Sequence, residues 1–243
     1  IMPRVKPTVK LLQYTGEPER TVALAAKLCY SDATIEDLDE KMSDAAVAAF
    51  LGRLANMGHQ SPVEHASFTF GIEGVSRAFL AQITRHRVAS FSVKSQRYVS
   101  AAESFNYVVP PAIEALGEEA VKKFESQMEQ ARLWYAEWQS LLGGKGEKSN
   151  EDARFVLPNA AETKMIVTMN ARELLHFFSL RCCFRAQWEI REVAWQMLRL
   201  ALEKAPHIFA SAGPNCYAGR CTEGAKSCGR QEEVKKIRDG LNK

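Results

Sequence analysis

The sequence predicts an α+β fold: a helix-rich single domain around a small mixed or antiparallel sheet. Apolar residues recur at helical spacing over most of the chain, and only short stretches carry strand patterning. No internal repeat, low-complexity segment or linker divides the 243 residues, so one core is expected over 2–210 with a Cys- and Gly-containing tail at 211–243.

Taken in order, VKLLQYT at 9–15 reads as a short strand and ERTVALAAKLCY at 19–30 as a helix. A second helix is expected from about Thr34 to Met57, with Thr34 as its cap, Asp37 three residues on, and Gly58 placed for a left-handed C-terminal residue. Ala66, Phe68, Phe70 and Ile72 alternate with small polar residues, which is strand period. VSRAFLAQITRHR then returns to helical spacing. Ile113 to Leu142 forms a long amphipathic pattern closed by GGKG at 143–146, and SNEDARFVLP starts a helix that Pro158 stops. TKMIVTMN at 163–170 is a β-branched and Met run of strand length. Asn170 with Glu173 caps a helix over about 171–205, and Cys182–Cys183 marks the place for a break. After Pro206 the chain turns Gly-rich and ends in a short charged helix, QEEVKKIRDGLNK.

Composition narrows the function. The hydrophobic fraction of 46% is that of a soluble globular protein, and no run of apolar residues is long enough to span a membrane. IMPRVKPTVKLL is broken by Pro, Arg and Lys and carries no apolar signal core; Ile1 ahead of Met2 is set aside. A net charge of +3 argues against a dedicated nucleic-acid binder. The six cysteines read as reduced thiols, and a cytoplasmic location is expected. Cys216-x4-Cys221-x6-Cys228 lacks the CxxC pairs of a zinc ribbon. A fourth ligand would have to come from His207 or another chain, so free thiols are expected and no metal.

The densest chemistry lies in RHRVASFSVKSQRY at 85–98. Between Glu73 and Glu103 there is no acid, while Arg77, Arg85, Arg87, Lys94 and Arg97 all fall inside. Guanidinium forks beside hydroxyls suit phosphate or carboxylate, because each fork donates two parallel hydrogen bonds to paired oxygens. A solvated basic face or a nucleic-acid patch is the plainer reading. Ser95 has no local base and is read as a hydrogen-bond donor, not a nucleophile. In GHQSPVEH, Ser61-Pro62-Val63-Glu64 forms a capping box, and His59, Glu64 and His65 do not have the HExxH spacing of a metal helix. In MNARELLHFFSLRCCFRAQWEI, Arg172 and His176 share a helix face at i, i+4, Arg181 and Arg185 follow, and Gln187 and Glu189 need partners if buried. With Arg154, at least six arginines are expected to stand without matched carboxylates, which suggests two or more phosphate-bearing ligands. There is no GxGxxG after a strand and no GxxxxGK[ST], so neither a Rossmann nor a P-loop site is supported.

These blocks resemble the flavin-dependent thymidylate synthases, whose signature is Arg-His-Arg, seven residues, then Ser. Here it is Arg85-His86-Arg87, VASFSVK, Ser95, followed by Gln96-Arg97-Tyr98, with GHQSPVEHASFTF upstream and ARFVLP and VTMNAREL…LR…AQWEI downstream. The resemblance implies a homotetramer with active sites at subunit junctions. It implies reductive methylation of dUMP to dTMP, with 5,10-methylenetetrahydrofolate as one-carbon donor, FAD reduced by NADPH as hydride source, and tetrahydrofolate as the second product. It assigns Ser61, Arg85, His86, Arg87, Asn170, Arg172 and His176 to FAD. Gln82, Arg85, Ser95, Gln96, Arg97, Arg154 and Arg181 are assigned to dUMP. Arg181 takes the chemical role at the uracil edge, and His59 stands near the folate or nicotinamide approach. Val93 stands where many members carry Glu, and His176 where relatives often have Asn. A nucleic-acid-binding module, and a flavin- and folate-dependent enzyme methylating uracil in RNA, are the competing readings; with near-neutral charge and no Rossmann motif, no nucleic-acid and no membrane partner is expected.

Overall fold

The computed structural model describes residues 2–241. It has the expected helix-rich α+β architecture, with an antiparallel four-stranded sheet in the order β1-β2-β4-β3. The strands are β1 (Thr8–Tyr14), β2 (Ser67–Ser76), β3 (Ala89–Val93) and β4 (Glu162–Asn170). Thr15 N–H donates to the Ser67 carbonyl at 2.9 Å, and the Thr69 and Thr168 hydroxyls meet at 2.9 Å across β2 and β4. Gly74 sits at φ +70, and a Cβ there would lie 2.1 Å from the Lys6 carbonyl oxygen. Only glycine lets the N-terminal segment pass so close.

Packing groups the chain into two compact units. The first contains the chain up to Thr8, Ile72–Arg85 and Phe91–Ile166. Its helices are α4 (Arg77–Ile83), α5 (Pro111–Glu114), α6 (Glu118–Leu141) and α7 (Glu147–Ala153). Ser76 caps α4 by accepting from Phe79 N–H at 3.0 Å. The single helix expected from Ile113 is two, because Gly117 takes φ +98 between α5 and α6. Phe105, Tyr107, Met128 and Tyr135 belong to the core of this unit.

Inside that core lies a polar knot. Asn150 Oδ1 accepts from Tyr135 Oη at 3.1 Å and from Gln139 Nε2 at 2.5 Å, while Asn150 Nδ2 donates to the Arg97 carbonyl at 3.0 Å. Gln139 Nε2 also donates to Ser100 Oγ at 2.9 Å. The Ser95–Ser100 loop is thereby tied to α6 and α7 through hydrogen-bonded buried amides.

The second unit contains Val9–Gly71, His86–Ser90 and the chain from Val167 on. Its helices are α1 (Pro18–Leu28), α2 (Ile35–Glu40), α3 (Asp44–Asn56), α8 (Ala171–Arg181), α9 (Trp188–Lys204), α10 (Asn215–Ala218) and α11 (Gln231–Gly240). Thr34 caps α2 as expected, accepting from Asp37 N–H at 3.1 Å. The helix does not continue to Met57 unbroken; it restarts at α3, where Ser43 Oγ accepts from Ala46 N–H at 3.3 Å. Gly58 takes the expected left-handed conformation at φ 70. The capping box at Ser61 is corrected: Pro62–His65 is a single 3-10 turn with no side-chain cap from Ser61, and Glu64 pairs with Arg172 instead. One turn leaves too few unpaired N–H groups for a box to serve.

Asn170 caps α8, accepting from Glu173 N–H at 2.9 Å. The helical run breaks at the double cysteine, and Gln187 restarts it by accepting from Glu189 and Ile190 N–H at 3.0 and 3.2 Å. Phe68, Phe178 and Phe209 stack edge-to-face in the core, with centroids 5.4 and 5.9 Å apart. The charged C-terminal helix appears as α11, the last two residues of that expectation lying outside the described ones. Its Arg238 is 1% exposed and donates to the carbonyls of Ala212 at 2.8 Å and of Phe209 and Ala210 at 3.0 Å. Among the described residues no helix is long and apolar enough to cross a membrane.

Replacing Asn150 by Ala leaves the Tyr135 hydroxyl, the Gln139 amide and the Arg97 carbonyl short of partners. Asn150→Ala is expected to cost about 2–3 kcal/mol, read as a lowered midpoint in denaturant unfolding with an unchanged slope.

Candidate active site

The second unit holds a cavity of about 650 Å³ whose wall includes His59, Asn170, Arg172 and His176. That size is within the range of about 300–1,000 Å³ usual for ligand sites. Asn170, Arg172, Glu173 and His176 come from the start of α8, where unpaired N–H groups and the helix dipole favour an anion. Leu51, Leu54, Val63 and Val88 supply apolar wall. A guanidinium and a helix start for phosphates, with apolar wall for a ring system, fit a flavin dinucleotide. Arg172 already pairs with Glu64, and both line the cavity. His59 Nδ1 lies 3.3 Å from the Tyr30 hydroxyl, and the two rings stack.

Of the other residues assigned to FAD, Ser61 is exposed between the lining residues Gln60 and Val63, and Arg87 is exposed beside Val88. Arg85 belongs to the first unit. His86 is only 4% exposed, and both its ring nitrogens are engaged within the protein. Its Nδ1 is 2.8 Å from Glu173 Oε1, and its Nε2 accepts from Arg181 Nε at 3.1 Å. A guanidinium nitrogen can only donate, so Nε2 is the bare nitrogen and the proton sits on Nδ1, facing the carboxylate. Burial lowers the His86 pKa most. The Glu173 hydrogen bond and charge oppose this, and Arg181 and His176 add to the lowering. The ring is neutral, wedged edge-on against Phe177 at 5.0 Å and His176 at 5.9 Å.

The first unit holds the residues assigned to dUMP other than Arg181, and Ser95, Gln96 and Arg97 share one loop. Ser95 Oγ accepts from Arg97 N–H at 3.1 Å, and Gln96 is half-buried between them. This unit contains no histidine, so Ser95 has no imidazole base within it. Gln82 Nε2 donates to the Ala78 carbonyl at 3.2 Å, one turn back on α4. Arg154 Nε donates to the Glu151 carbonyl at 3.0 Å, and Arg154 lies close enough to Arg77 to add to the burial that lowers the Arg77 pKa. Arg181, from the second unit, is held by His86 as described.

The expectation of arginines without matched carboxylates is corrected for three of them. Arg97 is spanned by Glu147 and Glu151, both at 2.7 Å, Arg172 pairs with Glu64, and Arg185 pairs with Glu223. Lys94 likewise meets Glu162 at 3.3 Å. The acid-free stretch is compensated in three dimensions by α7 and β4, which linear spacing does not reveal. Arg85 and Arg87 keep no carboxylate within ion-pair distance among the described residues. Sequence reasoning missed Glu173 as the partner of His86, although its place in the first turn of a capped helix already favoured an acid. It also missed the tail, whose Ser211, Ala212, Gly213, Pro214 and Asn215 line the cavity.

Comparison with known proteins gives the family. Residues 10–207 match the family model described as thymidylate synthase complementing protein. A flavin-dependent thymidylate synthase of Geobacter sulfurreducens is 54% identical over 94% of this chain and 97% of its own. One from Clostridium tetani is 48% identical over 94% and 96%. Among solved structures, a UMP/dUMP methylase, PolB, from Streptomyces cacaoi bound with 5-Br dUMP superposes with a TM-score of 0.73. It is 26% identical and covers 88% of this chain and 98% of that one. A match of this extent identifies the chain as an enzyme that belongs to the flavin-dependent thymidylate synthase family.

Proposed function

We propose that this enzyme reductively methylates dUMP to dTMP. The one-carbon unit comes from 5,10-methylenetetrahydrofolate and the hydride from FAD reduced by NADPH, and tetrahydrofolate is released. The observation that carries the reading furthest is the fixed Glu173–His86–Arg181 array. With Nε held by His86, the plane of the Arg181 guanidinium is set before substrate arrives. A uracil edge presented to that plane meets a preorganised positive charge, so negative charge gathers on the ring and C5 becomes nucleophilic. At a subunit junction Ser95 and the guanidiniums of Arg85 and Arg154 hold the substrate phosphate, while Arg97 braces the loop against Glu147 and Glu151 and Asn150 steadies it through the Arg97 carbonyl. Gln82 and Gln96 orient the nucleotide. Asn170, Arg172, His176 and Ser61, with Arg87 at the rim, hold the flavin and its pyrophosphate; His86 acts beneath them as a positioning residue. When bound, the flavin supplies the hydride. His59 shapes the approach of folate or nicotinamide.

A homotetramer, with active sites at subunit junctions, is supported by apolar surface that a lone chain leaves in water. Trp134 and Trp138 on α6 are 49% and 50% exposed, Leu141 on the same face is 70% exposed, and Phe155 is 83% exposed. The deciding assay is dTMP formation from dUMP, methylenetetrahydrofolate and NADPH, run with and without FAD after the flavin is stripped. FAD-dependent product is expected; bound FAD and dUMP without product overturn the choice of donor or acceptor.

Arg181→Ala is expected to lower kcat by at least about 100-fold while flavin absorbance is retained on gel filtration. Loss of flavin as well would move Arg181 into the cofactor site. Ser95→Ala removes one donor to the phosphate and is expected to raise the KM for dUMP about tenfold with kcat largely kept. Abolished turnover with normal dUMP binding would make Ser95 a nucleophile after all.

Because burial lowers the His86 pKa, the folded chain binds that proton more weakly than the unfolded one, whose imidazole keeps the ordinary 6.5. This contribution to stability is complete above pH 6.5 and is lost as pH falls below it, until the buried ring is itself protonated. Protonation also puts hydrogen on Nε2, against the Arg181 N–H. Melting temperature and kcat are expected to decline together on the acid side of that value, and His86→Gln is expected to flatten both profiles.

A further inference from the structure

His207 lies on the wall of the large cavity and has no task in the function proposed above. It stands in the turn that follows α9, at the last residue the family model matches. Considered from sequence only as a metal ligand, it is bound instead by Glu19, in the first turn of α1. Glu19 Oε2 is 2.7 Å from His207 Nδ1. Glu19 Oε1 accepts from the backbone N–H groups of His207 at 2.6 Å and Ile208 at 3.3 Å. One carboxylate therefore fixes both the ring and the backbone that carries it. The far side of the turn is fixed as well, because Arg238 gathers the carbonyls of Phe209, Ala210 and Ala212.

This arrangement decides which nitrogen meets a ligand. A carboxylate accepts, so the proton lies on Nδ1, and in the neutral ring Nε2 is a bare acceptor. Among the described residues Nε2 has no hydrogen-bond partner. The His207 side chain is 47% exposed, although the Glu19 carboxylate that holds it is only 17% exposed. A ring held at one nitrogen and open at the other loses little further freedom when it binds a ligand.

What it binds follows from what the rest of the wall takes. Arg172 and the start of α8 are suited to the pyrophosphate, and Leu51, Leu54, Val63 and Val88 to the flavin ring. The pyrophosphate lies in the middle of a flavin dinucleotide, so the adenosine beyond it needs a further polar surface. His207, Ser211 and Asn215 bring polar groups to the same cavity from another part of the chain. The adenosine end carries two ribose hydroxyls and an exocyclic amine, and a bare imidazole nitrogen accepts from such donors.

We propose that His207, positioned by Glu19, accepts a hydrogen bond from a hydroxyl or amine of the adenosine end and so selects the flavin dinucleotide over the mononucleotide. The inference rests on the flavin reading of this cavity. His207 touches the cofactor, and Glu19 acts through it.

The test is titration of the full-length, flavin-stripped protein with FAD and with FMN, followed by quenching of flavin fluorescence. His207→Ala is expected to weaken FAD about tenfold and to leave FMN unchanged. Glu19→Gln keeps an oxygen for the two backbone N–H groups but turns an amide N–H toward Nδ1. The ring proton then moves to Nε2, the acceptor becomes a donor, and FAD is expected to weaken as in His207→Ala. His207→Gln restores an acceptor oxygen and is expected to bind FAD within about threefold of wild type. Unchanged FAD affinity in His207→Ala overturns the proposal. So does a parallel loss of FAD and FMN, which is general damage, or a raised KM for NADPH with FAD affinity kept. Arg172→Ala separates the two readings. If it leaves both flavins unaffected, the cavity is not the flavin site and the proposal falls with it. If it weakens both while His207→Ala weakens neither, only the role of His207 is lost.

Discussion

A neutral imidazole buried between a carboxylate and a guanidinium is the constraint on which the site depends. Removing a polar ring from water is costly unless both nitrogens find partners, and His86 finds them in Glu173 and Arg181. Both partners stand on α8, Glu173 in the first turn and Arg181 in the last. Those are the turns where the helix dipole favours an acid and a base respectively. One helix thus sets the spacing of the two charged groups, and the ring bridges them from outside it. Displacing any member strands the other two in a place where water cannot replace the lost hydrogen bond.

Much of this was legible in the sequence wherever the cause is local. The caps at Thr34, Asn170 and Gly58, the break at the double cysteine and the strand at 163–170 depend on neighbours within a few residues, and each appears where expected. Causes distant in sequence were not legible. Glu147 and Glu151 reach Arg97 from α7, and Glu64 reaches Arg172 from the turn before β2. A charge count along the chain therefore overstates the net positive charge that a ligand meets. β3 was missed for a different reason. Ala89, Phe91 and Val93 do alternate with Ser90 and Ser92, but the run is five residues long and its burial swings only between exposed and intermediate. Short edge strands carry the weakest period-2 signal.

The tail changes how the cavity of the second unit is understood. The family model stops at residue 207, yet the wall continues through Ser211 to Asn215 and Ala218. What holds that stretch in place is Arg238, whose guanidinium gathers three carbonyls just after the last long helix and stacks on Tyr217 at 5.1 Å. A buried cation is tolerated here because those carbonyl oxygens stand in for its lost hydration. The cavity wall therefore draws both on the matched residues and on the tail beyond them. Arg181, His86 and Glu173 lie within the matched residues, and part of the rim lies beyond them. A change in the tail would therefore alter the outer shape of the cavity without touching the groups that fix the guanidinium.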